Sequence, residues 1–306
     1  MAPALLALAT LFWSGNFVLG RAMHADIPPM ALSFWRWTIA FCVVIHFARP
    51  HLARDLAALR QQPGLICLLA FLGIASFNAL VYTGLSTTTV VNAVLMQSTM
   101  PVFIILCSWL IFRESISALQ GLAMLISLCG VAVIVSGGSL DRLLHLKLVA
   151  GDGWVLLAVL FYALYSALLR KRPSMHPLSF IAITFAIGAV MLLPAYAWEH
   201  FQVRRMHIDG PTLASLAYVG VLPSIASYLC FNRAVELIGA NRAGQYLHLM
   251  PVFGTSLAAL LLGEKLQLSH VVGAALIAFA IWLAQRHATR ANLGHAAVPA
   301  DSERAP

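Results

Sequence analysis

Residues 92–114 read NAVLMQSTMPVFIILCSWLIFRE, and residues 244–265 read GQYLHLMPVFGTSLAALLLGEK. The core MPVF recurs after 150 residues, at 100–103 and 250–253, and a glutamate follows each copy after eleven more, Glu114 and Glu264. Each proline interrupts an apolar run long enough to be a helix. A proline inside a helix removes one backbone donor and crowds the preceding turn. A break made twice, at matching places, asks for one reason that serves both.

Composition bounds that reason. Of 306 residues, 61% are hydrophobic and 10% charged, and the mean hydropathy is +0.87. Soluble domains carry about 25% charged residues, so a lipid bilayer is the solvent this chain fits. The net charge of +8 is spread over short polar links and not gathered into a stripe, which argues against a nucleic-acid partner. Cys42, Cys67, Cys107, Cys129 and Cys230 lie in apolar runs without a CxxC pair and read as small buried hydrophobes. The eleven histidines show no HxxxH or HExxH spacing, so no metal and no cofactor are expected.

A membrane helix needs roughly 20 mostly apolar residues. Ten such runs are present, near 4–23, 30–48, 63–82, 90–112, 118–136, 153–170, 178–198, 211–231, 242–262 and 268–285. The first contains ALLALAT with no positive segment before it, so it is expected to be a span and not a leader. The longest links fall at 137–152 and 199–210. With both termini cytoplasmic, twelve basic residues lie in inner links and six in outer ones, while Arg36 is left inside the membrane. That bias sets the orientation.

Shifting the chain by 150 residues lays spans 3 and 4 on spans 8 and 9, with Ala93 on Ala243, Leu110 on Leu260 and the breaker Gly73 on Pro223. A shift of 149 lays span 1 on span 6. The expected fold is therefore an all-α integral membrane protein of ten transmembrane helices in two five-helix repeats, residues 1–137 and 153–286. An external linker at 138–152 joins them, and a polar, disordered cytoplasmic tail is expected at 287–306. Five is odd, so the second half enters the membrane from the opposite side and the repeats are inverted. Inverted repeats mark alternating-access transporters, whose sites lie at the midplane beside broken helices. Pro101 and Pro251 would each free a carbonyl there, which is tolerated facing protein or water. The plainer alternative is a kink inherited by both halves.

Together these features resemble the EamA-type members of the drug/metabolite transporter superfamily, over about residues 1–286. The likeness is carried by FWSGNFVLGR at 12–21, by Arg36, by MPVF running on to FRE or GEK, and by Gly121 and Gly273 beyond the glutamates. Within the superfamily the chain is most similar to exporters of aromatic and other hydrophobic amino acids. That resemblance implies a multi-pass transporter of the bacterial inner membrane, a monomer in the lipid bilayer, with small-molecule amino acids as its partners. One departure is Arg113 before Glu114, where the family usually has glycine, as Gly263 before Glu264.

Polar and aromatic residues at membrane depth are the candidates for the path. Asn78 and Tyr82 are four apart and share a helix face. Their shifted partners are Tyr228 and Asn232, the same types in reversed order, while Trp13 maps on Tyr162 and Asn16 on Tyr165. The set either lines a shared cavity or glues helices together. Gln97 precedes Pro101 by one turn, and Gln245 and His248 precede Pro251. His248 is either a hydrogen-bond donor or a proton relay. Arg36 either binds a carboxylate or holds carbonyls structurally. Glu114 and Glu264 are either interfacial carboxylates or gate elements. Spans 5 and 10 carry small residues at four-residue spacing, Ser117/Gly121, Ala123/Ser127 and Ala274/Ala278, and are expected to be packing elements.

Other classes fit poorly. An enzyme lacks its motifs: there is no HExxH, no GxSG nucleophile and no intramembrane aspartate pair. A channel would show filter loops or charged rings. The resemblance implies that a cation would be bound as in the superfamily's small multidrug exporters, through a glutamate in span 1, where this chain has no carboxylate. An organic phosphate would need several midplane bases, where only Arg36 is present. What remains is a neutral or zwitterionic solute with an apolar body. The expected site lies between the halves: Trp13, Tyr82, Tyr162, Tyr165 and Tyr228 on the apolar body, Asn16, Asn78, Asn232, Gln97 and Gln245 on the polar groups, and carbonyls at Pro101 and Pro251 for the ammonium.

Overall fold

The computed structural model describes residues 1–114, 116–145, 147–262 and 267–296, and every regular element among them is helical. The order is α1 (Ala2–Ala22), α2 (Pro29–Gln61), α3 (Pro63–Thr87), α4 (Val90–Ser98 with Met100–Phe112) and α5 (Ala118–Ser136). A short turn of helix at Leu140–Leu144 leads to α6 (Ala150–Lys171), α7 (Pro177–Val203), α8 (Gly210–Ile238), α9 (Ala240–Gln245, Tyr246–His248 and Leu249–Leu262) and α10 (Leu268–Ala296). Among the described residues eight helices, α1 through α8, are long and apolar enough to cross a membrane, and α10 holds a shorter apolar stretch at Leu268–Ala284.

Two ends differ from the sequence expectation. The second apolar run stops near residue 48, yet α2 continues through Pro50 to Gln61, 33 residues in all from Pro29. The added length, HLARDLAALRQ, is an amphipathic arm, and hydropathy marks only the apolar part of a helix. Likewise α10 runs on to Ala296 although its apolar stretch ends at Ala284. Residues 297–306 of the expected tail, and Glu264 with Gly263, lie outside the described residues.

The packing of one half is repeated in the other. α2 packs on α7, and α5 on α10; α3 packs on α6 as α8 packs on α1, and α4 on α6 as α9 on α1. Each of these relations maps onto itself or onto its partner when five helices are added. At the α5–α10 contact the backbones touch through Gly130 and Gly273. A Cβ on Gly273 would lie 2.5 Å from the Gly130 carbonyl oxygen, and one on Gly130 would lie 2.8 Å from that of Gly273. Of the expected small residues, Gly121 is not where the backbones meet: a Cβ there would find only Ile116, at 3.8 Å.

The helix breaks take two forms. In α3 and α8 the ladder widens into π-turns at Phe71–Ser76 and Val221–Ala226, again 150 residues apart, with Gly73 and Pro223 at the same place in each. A π-turn shifts the hydrogen-bond ladder and leaves backbone acceptors for side chains. In α4 and α9 the chain is interrupted before each proline, not kinked at it. Thr99 (φ −78°, ψ −11°) ends one short helix, and Met100 starts the next with Pro101 in its first turn. In α9 a 3-10 turn at Tyr246–His248 precedes Leu249–Leu262, which places Pro251 in the first turn of that segment. A proline in a first turn gives up a donor that would be unpaired anyway.

Candidate functional site

Between the halves, at the level of the breaks, lies a narrow internal space with a cavity volume of about 20 Å³. It is lined by Trp13 and Asn16 of α1, Arg36 of α2, Phe77 and Asn78 of α3, Gln97 and Met100 of α4, Tyr162 of α6, Tyr228 of α8, and Leu247 and Met250 of α9. Four pairs among these are related by the repeat: Trp13 with Tyr162, Asn78 with Tyr228, Gln97 with Leu247, and Met100 with Met250. A space whose walls are supplied in equivalent pairs sits on the axis that relates the halves. Its volume gives room for on the order of one water molecule, well below the roughly 300–1,000 Å³ of small-molecule sites.

One wall is aromatic. Trp13 meets Tyr162 and Tyr228 edge-on, each at 5.9 Å between centroids, and Phe77 packs on Tyr162 at 4.6 Å. Such contacts hold the rings in defined orientations. The π-turn carbonyls fix the polar edges. Trp13 Nε1 donates to the Pro223 carbonyl at 2.8 Å, and the Tyr228 hydroxyl donates to that of Gly73 at 2.5 Å. Each widened turn is thus satisfied by a side chain of the other half.

Arg36, 1% exposed, adds a charged part of the wall and shares the Pro223 carbonyl with Trp13. Its Nε donates to Ser224 Oγ at 2.7 Å and its Nη2 to the Pro223 carbonyl at 3.1 Å. Its Nη1 faces Asn16 Oδ1 and Asn78 Oδ1, both at 3.0 Å, and the Tyr82 hydroxyl at 2.9 Å. The Tyr82 hydroxyl in turn donates to Asn16 Oδ1 at 2.7 Å. All of these acceptors are neutral, and no ion pair to Arg36 occurs among the described residues. A cation in the bilayer interior is expensive and marks a functional position unless a counter-charge meets it.

Against this geometry the comparisons with known proteins are decisive. The profile described as the EamA-like transporter family matches residues 1–136 and 149–285. The chain belongs to that family. Two relatives support the assignment. The uncharacterized transporter YyaM of Bacillus subtilis (strain 168) is 25% identical over 269 residues, covering 88% of each chain. An uncharacterized transporter of Archaeoglobus fulgidus is 25% identical over 281 residues, covering 91% of this chain and 95% of that one. A solved crystal structure superposes with a TM-score of 0.76 at 18% identity, over 94% of this chain and 98% of the other, which shows a shared fold. This EamA protein is a multi-pass membrane transporter.

The transporter brings together some of the residues singled out in its sequence and separates others. Trp13, Asn16, Asn78, Gln97, Tyr162 and Tyr228 line the central space. Tyr82 reaches it only through Asn16 and Arg36. Tyr165 and Asn232 form a hydrogen bond of 3.1 Å, and Asn232 opens instead on a second small cleft with Arg172, Arg233 and Glu236. Their bond is the counterpart of Tyr82 to Asn16: a tyrosine hydroxyl again donates to an asparagine Oδ1, with the two residue types exchanged between the helices. Pro101, Gln245 and Pro251 are behind the wall; Met100, Leu247, Met250 and Phe77 occupy it. His248 is fully buried between Ser127 Oγ at 2.6 Å and the Ser98 carbonyl at 2.8 Å. That carbonyl is one left open by the break in α4, so His248 closes the defect across the repeat axis.

Charges gather at the ends of the helices. Glu114 pairs with Arg170 and accepts from Asn241 Nδ2 at 3.5 Å. Glu236 pairs with Arg172, and with Arg233 at 2.9 Å. Three residues escaped the sequence reading. Asp152, 5% exposed, accepts from the Thr88 hydroxyl, from Asn92 Nδ2 at 3.0 Å and from the Val149 amide at 2.8 Å, tying α6 to α4. Glu199 accepts the Met30 and Ala31 amides at 3.1 and 2.8 Å, covering the open start of α2 from α7. Ser224 anchors Arg36. The signal for Asp152 was present in its position at the third residue of a helix, where a carboxylate caps.

Proposed function

We propose that this transporter exports neutral amino acids with aromatic or aliphatic side chains, by alternating access of two inverted five-helix halves around the central space. Ten spans with both termini cytoplasmic, in a bacterial inner membrane, and a monomer as the working unit complete the reading. The observation that supports it best is the composition of that space: aromatic rings and thioethers, and a buried guanidinium without a counter-charge. An apolar body suits the first, and a carboxylate suits the second. Weak discrimination among apolar bodies follows, because a methylene in such a pocket is worth only about 1–3 kcal/mol. Phenylalanine, leucine, methionine and threonine are expected to share the path. Acidic and strongly basic side chains find no opposite charge for their own head groups.

The test is counterflow in proteoliposomes with a labelled neutral amino acid, competed by an unlabelled panel. Neutral amino acids should compete best, and Asn78→Ala and Tyr82→Ala should reduce exchange at least about tenfold, since both release Arg36. Better competition by glutamate, lysine or a sugar phosphate, or full exchange in both variants, would remove the reading. Competition by an unrelated lipophilic solute alone would favour a general small-solute exporter.

A further inference from the structure

An amino acid offers two handles, and the central space is not symmetric toward them. Four of its oxygen acceptors are already engaged by the protein. Asn16 Oδ1, Asn78 Oδ1 and the Pro223 carbonyl serve Arg36, and the Gly73 carbonyl serves Tyr228. Its donors are not. Gln97 Nε2 and the Tyr162 hydroxyl are buried in residues that line the space, at 8% and 2% exposure, and neither has a hydrogen-bond partner. Asn78 Nδ2, beside the Tyr228 hydroxyl, also lacks a bond of normal geometry. Arg36 carries five N–H groups, and its Nη2 uses a single acceptor for two of them. Buried donors without partners are rare in native proteins, and each one asks for an explanation. Here several converge from α2, α4 and α6 on one space and have no carboxylate among them. A carboxylate is acceptor-only and takes up to about four such bonds, whereas an ammonium is donor-only.

We propose that the space reads the carboxylate of its solute and not the ammonium, so that apolar monocarboxylates lacking an α-amino group are carried too. Arg36 supplies the charge, and Gln97 and Tyr162 supply the remaining bonds, while the apolar body rests against Trp13, Phe77 and Met250. The proposal rests on taking this space as the transport site, and it widens the substrate class from amino acids to small apolar carboxylates.

The experiment compares phenylalanine with its two half-molecules, 3-phenylpropanoate (carboxylate only) and phenethylamine (ammonium only), in counterflow above protein-free vesicles. 3-Phenylpropanoate should compete within about threefold of phenylalanine and should itself exchange when labelled, and phenethylamine should fail even at roughly a hundredfold excess, as loss of a bonded charge demands. Tyr162→Phe separates recognition from folding. The deleted hydroxyl has no partner in the protein, so the variant should melt no lower than wild type, while half-saturation for both carboxylates rises roughly tenfold. Competition by phenethylamine but not 3-phenylpropanoate overturns the proposal, as does Tyr162→Phe with unchanged half-saturation. If amino acids exchange and 3-phenylpropanoate neither competes nor exchanges, the carboxylate reading falls and the amino acid reading stands. If 3-phenylpropanoate exchanges and no amino acid does, the reverse holds.

Discussion

Arg113 is the one residue other than glycine with positive φ among the described residues, +57° at the end of α4. A left-handed conformation costs an L-residue about 1–2 kcal/mol, and the second copy has Gly263 at this position. Glycine would remove the cost but would lose about 0.5–1 kcal/mol to the unfolded chain. Arg113→Gly should therefore be neutral or stabilising by up to about 1 kcal/mol, and Arg113→Val should lose at least that much, read from melting of the detergent-solubilised protein. Equal melting of both variants would contradict it. At this scale the sequence told residue types but not pairings. The mirrored Asn/Tyr set was legible, because a shift of 150 displays it. That Arg36 would collect Asn16, Asn78 and Tyr82 was not, since it depends on where α2 crosses α1 and α3, and the second half carries Phe185 in place of Arg36. Gln245 and His248 were visible as polar residues in an apolar run, but nothing in the spacing said that His248 would turn away from the solute and toward Ser98.

Among the elements, the start of α7 carries a proton-sensitive cap. His176 Nδ1 accepts from the Leu178 amide at 3.3 Å, and its ring stacks on His51 at 3.6 Å. Burial first, and then the His51 charge, lower its pKa below 6.5, against the smaller opposite pull of Asp55. The neutral form is thus favoured on folding, and the unfolded chain binds more protons. Stability from this group is fully present above about pH 6.5 and is lost as pH falls through the lower folded value. Melting should drop on going from pH 7.5 toward 5.5, and His176→Asn, which keeps a capping oxygen, should flatten that part of the profile. A variant with the wild-type slope would show that another group governs it. The α5–α10 contact gives a second expectation. Gly273→Ala drives a methyl group onto the Gly130 carbonyl and should lower stability by about 1–3 kcal/mol. Exchange per folded molecule should persist, because neither helix lines the central space; loss of exchange in a protein that melts normally would give α5 and α10 a part in transport. Small-residue spacing identified α5 and α10 as packing helices, yet it did not single out Gly130, where the backbones approach. The spacing alone does not say which face of each helix meets the other. The π-turns were half-legible: Gly73 and Pro223 were readable as matched breakers, but a change of ladder from α to π follows from tertiary demand for their carbonyls.

At the scale of the molecule, the repeat was the most legible feature, because one shift aligns motif, breakers and polar set together. It carries over into packing, with the largest helix contacts recurring five helices on, and into a central space with four equivalent pairs in its lining. Alternation of two such halves makes definite demands on transport. No aspartate or glutamate lines the space, so exchange should not need a proton gradient. The most direct test is counterflow of labelled phenylalanine into proteoliposomes loaded with unlabelled phenylalanine, at equal pH on both sides and over a range of external concentrations. A carrier whose halves alternate around one central site should give a transient overshoot of label inside, and an initial rate that saturates. A rate linear in concentration without an overshoot, or an overshoot seen only under an imposed pH gradient, would contradict this account.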